Sequence, residues 1–132
     1  MKHPDWHNRL LSTIRAAEKR PFSWGEHDCC LFAADCAHAM CGEDFAKNWR
    51  GTYDNEVGAK KAILRGGGTL ENVLGKYLNE VPIKLAQRGD IAIVENAGTR
   101  CAGVIYGGAV WVPGNDGLVC LRVKPLSAWR IR

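Results

Sequence analysis

Apolar residues recur at helical spacing along the first part of the chain. Asp5 stands before them as a candidate N-cap, and Pro21 follows them as a helix stop. The residues that share one helical face are Trp6, Leu10, Ile14 and Ala17. We therefore expect a first helix between Asp5 and Pro21.

The clearest predicted element is a central helix from Cys29 to about Cys41. Asp28 precedes it as a good N-cap, and Gly42 follows it as a C-cap. One face carries Cys29, Phe32, Cys36 and Met40. This apolar face predicts a helix that is central and well buried.

Two shorter helices are predicted after a polar loop. The first spans roughly Glu56 to Arg65 and ends at the glycines of 66–68. The second starts at Thr69, and its apolar positions are Leu70, Val73, Leu74, Tyr77 and Leu78.

After these helices, the spacing of apolar residues changes from a helical pattern to short extended runs. Short apolar runs at 91–94, 103–106, 109–112 and 118–123 predict strands, with turns at 107–108 and 115–117. Helices followed by such strands predict an α+β fold, in which N-terminal helices and the central helix starting at Cys29 pack on a small antiparallel sheet. Residues 1–132 are expected to form a single domain.

Composition and charge exclude several function classes. The formal net charge of +4 is scattered, without the basic stripe and stacking aromatics of a nucleic-acid binder. No apolar run approaches the roughly 20 residues that span a bilayer, and the N-terminus does not resemble a signal peptide. We expect folding in a reducing cytoplasm, with the six cysteines starting as thiols or metal ligands.

Cys29 is the strongest candidate for chemistry. A thiol in the first turn of a helix lies near unpaired amide donors and the positive end of the helix dipole, and both favour the thiolate. Cys29 is therefore a candidate nucleophile, with Asp28 as the helix cap. The alternative is a small, buried packing residue, which is the common role of a free cysteine.

Three motifs carry a resemblance over nearly the whole chain. They are GEHDCCLFAAD at 25–35, RGTY at 50–53 and QRGD at 87–90. In order and spacing they resemble a family of small proteins of unknown function encoded in the tail modules of tailed bacteriophages. That family is a divergent relative of the NlpC-like cysteine peptidases, so the resemblance implies a papain-like core.

The resemblance also implies where a catalytic site would lie. Asp28-Cys29 matches the pair that starts the central helix in those peptidases, and Gly89-Asp90 matches the pair that opens their first strand. Cys101 falls at the position of their catalytic histidine. No obvious His, Asn or Gln stands around 109–111, where their third polar residue is expected.

The missing histidine matters because papain-type chemistry needs an imidazole beside the thiol. All four histidines (3, 7, 27 and 38) precede that position. His38 lies nine residues beyond Cys29, about 13 Å along a helix. His3 and His7 could reach the site only if the N-terminal helix docks there. His27 is a weak candidate base, because its side chain would have to fold back across the helix start.

The resemblance and the missing histidine favour a structural component of a phage tail tip or baseplate, not an enzyme. Its partners would be other tail proteins, such as hub, distal tail or tip proteins, in a threefold arrangement, and its location the virion tail. The alternative is an active cell-wall cysteine peptidase or amidase that acts on peptidoglycan, with Cys29 as nucleophile and His27 as a non-standard base.

A further alternative is a metal or redox site formed by Cys29 and Cys101, with Cys30 or His27 as an additional ligand. No cysteine or histidine pair has zinc-finger spacing, and the glycines of 66–68 lack the lysine of a phosphate-binding loop. No cofactor is expected from the sequence.

Overall fold

The computed structural model describes residues 1–132, which form an α+β structure of four helices and a six-stranded antiparallel sheet. The helices are α1 (Trp6–Ala17), α2 (Cys29–Cys41), α3 (Glu56–Gly66) and α4 (Leu70–Gly75). The strands are β1 (Leu78–Val81), β2 (Ile91–Asn96), β3 (Thr99–Tyr106), β4 (Ala109–Gly114), β5 (Gly117–Leu121) and β6 (Ser127–Ile131). None of the helices has the length and apolar character needed to cross a membrane.

The sheet has the order β1-β6-β2-β3-β4-β5, so the hairpin strands β2 to β5 lie side by side. A tight turn at Ala97-Gly98 joins β2 to β3, and both of its residues have positive φ, as hairpin turns require. This register pairs Val94 with Cys101. Alternate residues of β2 pack into two different apolar clusters, and Cys101 belongs to the smaller one.

Helix α2 is confirmed at both ends. The Asp28 carboxylate accepts a hydrogen bond from the Leu31 amide at 3.0 Å, and Gly42 adopts the left-handed conformation that ends the helix. Seven residues of α2 are buried, because α1 covers it on one side and the sheet on another. The helix start is thereby held against β3.

The predicted end of the fourth helix was wrong, and two strands were not predicted. Helix α4 ends at Gly75, so Tyr77 lies outside it and Leu78 opens β1. Leu78 pairs with Ile131 of β6, and this long-range pairing overrides the helical spacing. β1 and β6 are short, and neither alternates as a strand with one buried face.

Asp5 precedes α1 as expected, but its side chain does not cap the helix. The carboxylate instead pairs with Arg9 at 2.8 Å, one turn along the helix. The N-terminus is held by a different bond, in which the amide of His3 donates to the carbonyl of Met40 at 2.8 Å.

An ion pair with a buried carboxylate holds β6 in its place between β1 and β2. Asp90, which is 0% exposed, accepts hydrogen bonds from Arg130 Nε at 3.0 Å and Nη2 at 2.8 Å. The same carboxylate accepts from the Gln87 amide at 2.7 Å. The turn before β2 and the last strand are therefore tied together by one side chain.

Candidate functional site

The structure brings Cys29 and Cys101 together. Cys29 opens α2 and packs against the smaller apolar cluster of the sheet, which contains Cys101 of β3. Both side chains line the same cavity of about 260 Å³. Cys30 also lines it, so three of the six cysteines share this site.

The loop before α2 is built around the Asp28 carboxylate, which is 2% exposed. Besides capping Leu31, it accepts hydrogen bonds from the Gly25 amide at 3.1 Å and from the Tyr53 hydroxyl at 2.6 Å. These three donors satisfy a buried charge that would otherwise be costly. They also fix the position of Cys29.

Gly25 is required by this packing. Its φ is +79°, and a Cβ at this position would lie 1.9 Å from the Tyr53 carbonyl oxygen. No other residue type fits so close to another backbone. The glycine therefore lets the loop carrying Tyr53 approach the start of α2.

Aromatic side chains form much of the cavity wall. Two ion pairs, Lys60 with Glu56 and Arg100 with Glu71, involve lining residues from α3 and β3. The aromatic lining residues are Phe22, Trp24, Trp49 and Tyr53. The cavity is thus largely apolar, with its nearby charges already paired.

The two facing sulfurs have opposite proton affinities. The hydrogen bond from Cys29 lowers the pKa of Cys101 below the usual thiol value. The same hydrogen bond, followed by burial, raises the pKa of Cys29. Cys29 therefore stays a thiol at neutral pH, which is the opposite of what a nucleophile needs.

The neighbouring groups are protonated as well. Burial raises the pKa of Cys30 to about 12. Burial and the hydrogen bond to Asp28 raise the pKa of Tyr53, so its hydroxyl is a donor and not a base.

His27 lies away from the thiols, although only Asp28 separates it from Cys29 in sequence. Its ring packs against Phe32, with ring centroids 5.8 Å apart, and lines a separate cleft with Arg20 and His38. The ring is 1% exposed, and neither nitrogen has a hydrogen-bond partner. Burial lowers the pKa of His27.

The other histidines are also absent from the thiol cavity. His38 lines the cleft beside His27, His3 lies near Gly42 at the far end of α2, and His7 stacks on Trp6. No residue of β4 lines the cavity, so no side chain there orients a base. The candidate residues thus separate: Asp28, Cys29 and Cys101 meet, and His27 does not join them.

No metal centre is assembled at the thiols. Nowhere in the chain do three or more His, Cys, Asp or Glu side chains come together as a group that could hold a metal ion. Cys29 and Cys101 would supply only two ligands, fewer than the four of a structural zinc site.

The sequence did not identify Tyr53 or the aromatic wall as parts of the site. Tyr53 belongs to the RGTY motif at 50–53, but nothing in the motif shows that its hydroxyl reaches Asp28. Burial of Asp28 was the missing signal, because a buried carboxylate needs donors from elsewhere in the chain.

A family model for a domain of unknown function, DUF6950, matches residues 1–131. The chain belongs to this family. The match includes both the thiol cavity and the His27 cleft, so the family domain contains the complete site. A search of the curated proteins finds no match to the chain.

Proposed function

We propose that this chain is a structural component of a bacteriophage tail tip or baseplate. It would use an NlpC-like fold whose hydrolase site has lost its base. The support is the resemblance of the motifs at 25–35, 50–53 and 87–90, together with the chemistry of the Cys29 cavity.

The observation that carries the proposal is that Cys29 shares its cavity with Cys101 and with no histidine. A cysteine hydrolase needs an imidazole that holds the thiolate and later protonates the leaving amine. The Cys101 sulfur can neither form an ion pair with the thiolate nor protonate the leaving amine as an imidazolium would. It also raises the pKa of Cys29, so the thiol is less nucleophilic than a free cysteine.

The surroundings of the thiols fit a fold kept for stability. The Asp28 carboxylate at the start of α2 has three hydrogen-bond donors, including Gly25 and Tyr53, although the adjacent Cys29 thiol lacks a base. Such bonds stabilise α2 whether or not Cys29 reacts. Selection on assembly would therefore retain them after activity was lost.

The proposed partners are neighbouring tail proteins, with threefold copies at the tip. Peptidoglycan would be a substrate only if the chain hydrolysed it. The competing peptidase function is less well supported, because His27 faces a different cleft from Cys29.

Tail composition and complementation test this proposal. We expect mass spectrometry of purified virions to find the chain in the tail fraction. A phage lacking the gene should assemble defective tails. Cys29→Ala should restore infectivity as well as wild type does, with Cys120→Ala as the matched control outside the cavity.

Two results would count against the structural role. One is absence of the chain from purified tails. The other is a folded Cys29→Ala protein that enters the tail but does not restore infectivity, which would indicate that the thiol is needed for chemistry.

A further inference from the structure

Cys29 and Cys101 line the same cavity of about 260 Å³, and Cys29 packs against the apolar cluster that contains Cys101. No histidine lines this cavity, and its cysteines and carboxylates do not form a group that could hold a metal ion. Two neighbouring thiols that have neither a histidine nor a metal ion beside them can still react with each other by forming a disulfide.

We propose that Cys29 and Cys101 form a reversible dithiol–disulfide pair that hydroperoxides oxidise inside this cavity. The inference rests on the cavity itself and does not depend on a role in a phage tail.

The reaction begins at Cys101. Its sulfur attacks one oxygen of the hydroperoxide, the O–O bond breaks, and Cys101 becomes a sulfenic acid. The leaving hydroxide or alkoxide takes up the proton that the Cys101 thiol released. The Cys29 sulfur then attacks the Cys101 sulfur, the S–O bond breaks, and the Cys29 proton leaves with that oxygen as water.

The electrons balance in this sequence. Two thiols lose two electrons and two protons, and the hydroperoxide is reduced to water and an alcohol, or to two waters from hydrogen peroxide. An external thiol reverses the change by thiol–disulfide exchange.

The order of attack follows from the two sulfurs. The hydrogen bond from Cys29 lowers the pKa of Cys101, so Cys101 ionises first. While Cys101 is a thiolate, its charge helps to keep Cys29 protonated. Oxidation of Cys101 to the neutral sulfenic acid removes that charge, and Cys29 can then release its proton.

Cys30 is the alternative partner, since it lines the same cavity. Burial raises the pKa of Cys30 to about 12, so its thiol stays protonated. The interaction that lowers the pKa of Cys101 comes from the Cys29 thiol, and not from Cys30. Of the remaining cysteines, Cys36 is fully buried in the core, and neither Cys41 nor Cys120 lines the cavity.

The test uses the full chain, fully reduced and then treated with hydrogen peroxide. Free thiols are blocked by alkylation, and the linked peptides are mapped by tandem mass spectrometry that separates Cys29 from Cys30. We expect a Cys29–Cys101 disulfide as the main product, lost again on treatment with dithiothreitol.

Two matched variants identify the partner. Cys30→Ser should retain the disulfide. Cys29→Ser should lose it and accumulate a sulfenic acid at Cys101, detected as a dimedone adduct. Circular dichroism checks that both variants are folded. If one is not, the disulfide-linked peptides of the wild-type protein show whether Cys29 or Cys30 is the partner of Cys101.

The proposal is overturned if treated wild type contains no Cys29–Cys101 link. It is also overturned if a link to Cys101 persists in Cys29→Ser, since Cys30 would then be the partner. A dimedone adduct at Cys29 of wild type with none at Cys101 of Cys29→Ser would reverse the proposed order of attack.

Discussion

The start of α2 depends on one buried carboxylate. Asp28 accepts hydrogen bonds from Gly25, Leu31 and Tyr53, and it is 2% exposed. Two of these donors are local amides, whereas Tyr53 comes from a separate loop. Its hydroxyl is thus the contact that joins this loop to the helix.

Tyr53→Phe removes only that hydroxyl. We expect the free energy of unfolding to fall by about 1–2 kcal/mol, because a buried carboxylate loses one of its donors. Urea denaturation followed by circular dichroism measures the change. Tyr106→Phe, at the edge of the core, is the control and should change stability less. Equal losses for the two variants would contradict the special role of Tyr53.

The position of Cys101 decides the chemistry of Cys29. Cys101→His would put an imidazole beside the Cys29 thiol, and the cavity of about 260 Å³ leaves room for the larger ring. A thiolate–imidazolium pair would then form, as in cysteine hydrolases. We expect iodoacetamide to alkylate Cys29 at least about tenfold faster at pH 6.

Cys120→His is the matched control, because Cys120 pairs with Trp111 on the outer hairpin and does not line the cavity. Its Cys29 alkylation rate should equal that of wild type. If Cys101→His folds and leaves the rate unchanged, position 101 does not face Cys29 as described.

Among the elements, β6 is held in the sheet by a side-chain contact as well as by backbone pairing. Its residues pair with both β1 and β2, and Arg130 binds the Asp90 carboxylate with two hydrogen bonds. The carboxylate is completely buried, while the guanidinium remains partly exposed. Loss of Arg130 would therefore leave a buried charge without its main partner.

We expect Arg130→Ala to lower the free energy of unfolding by about 2 kcal/mol, below the range for fully buried pairs because the guanidinium is partly exposed. Arg130→Lys keeps the charge but loses the two-pronged contact, so its loss should be smaller. Arg9→Ala removes an exposed pair on α1 and serves as control, with no measurable change expected. If Arg130→Ala leaves the free energy of unfolding unchanged, the ion pair does not hold β6.

The elements that could be predicted are those with local signals. Asp28 and Gly42 bound α2 within the sequence itself, and the tight turns bound β4 and β5. β1 and β6 could not be predicted, because each is stabilised by a partner roughly fifty residues away. The resemblance implied Cys101 at the position of a catalytic histidine, and the structure places Cys101 in the same cavity as Cys29. The direction of the His27 ring depends on the turn at 23–27, which the sequence did not reveal.

For the whole molecule, His27 adds a pH-dependent cost to folding. Burial lowers its pKa in the folded state, and Arg20 lowers it further, while Asp35 and Asp28 act in the opposite direction. His38 lines the same cleft. The unfolded chain therefore takes up a proton at His27 before the folded chain does.

Stability should consequently fall as pH drops below about 6.5, the ordinary histidine pKa, and level off below the folded pKa. His27→Leu should weaken this dependence between pH 7 and 5, because the ring that resists protonation is gone. His7→Gln, at an exposed position, should retain it. Denaturation curves at several pH values measure both variants. If the free energy of unfolding of His27→Leu depends on pH as steeply as that of wild type, His27 is not the cause of the dependence.

We propose that this molecule keeps a helix start like that of the cysteine hydrolases but has no hydrolytic activity. The most direct test measures soluble peptides released from purified peptidoglycan by folded wild type and Cys29→Ala. We predict no release above the buffer control for either protein. Release by wild type that disappears in Cys29→Ala would contradict this proposal, because it would show that Cys29 acts as a nucleophile although no imidazole lines its cavity.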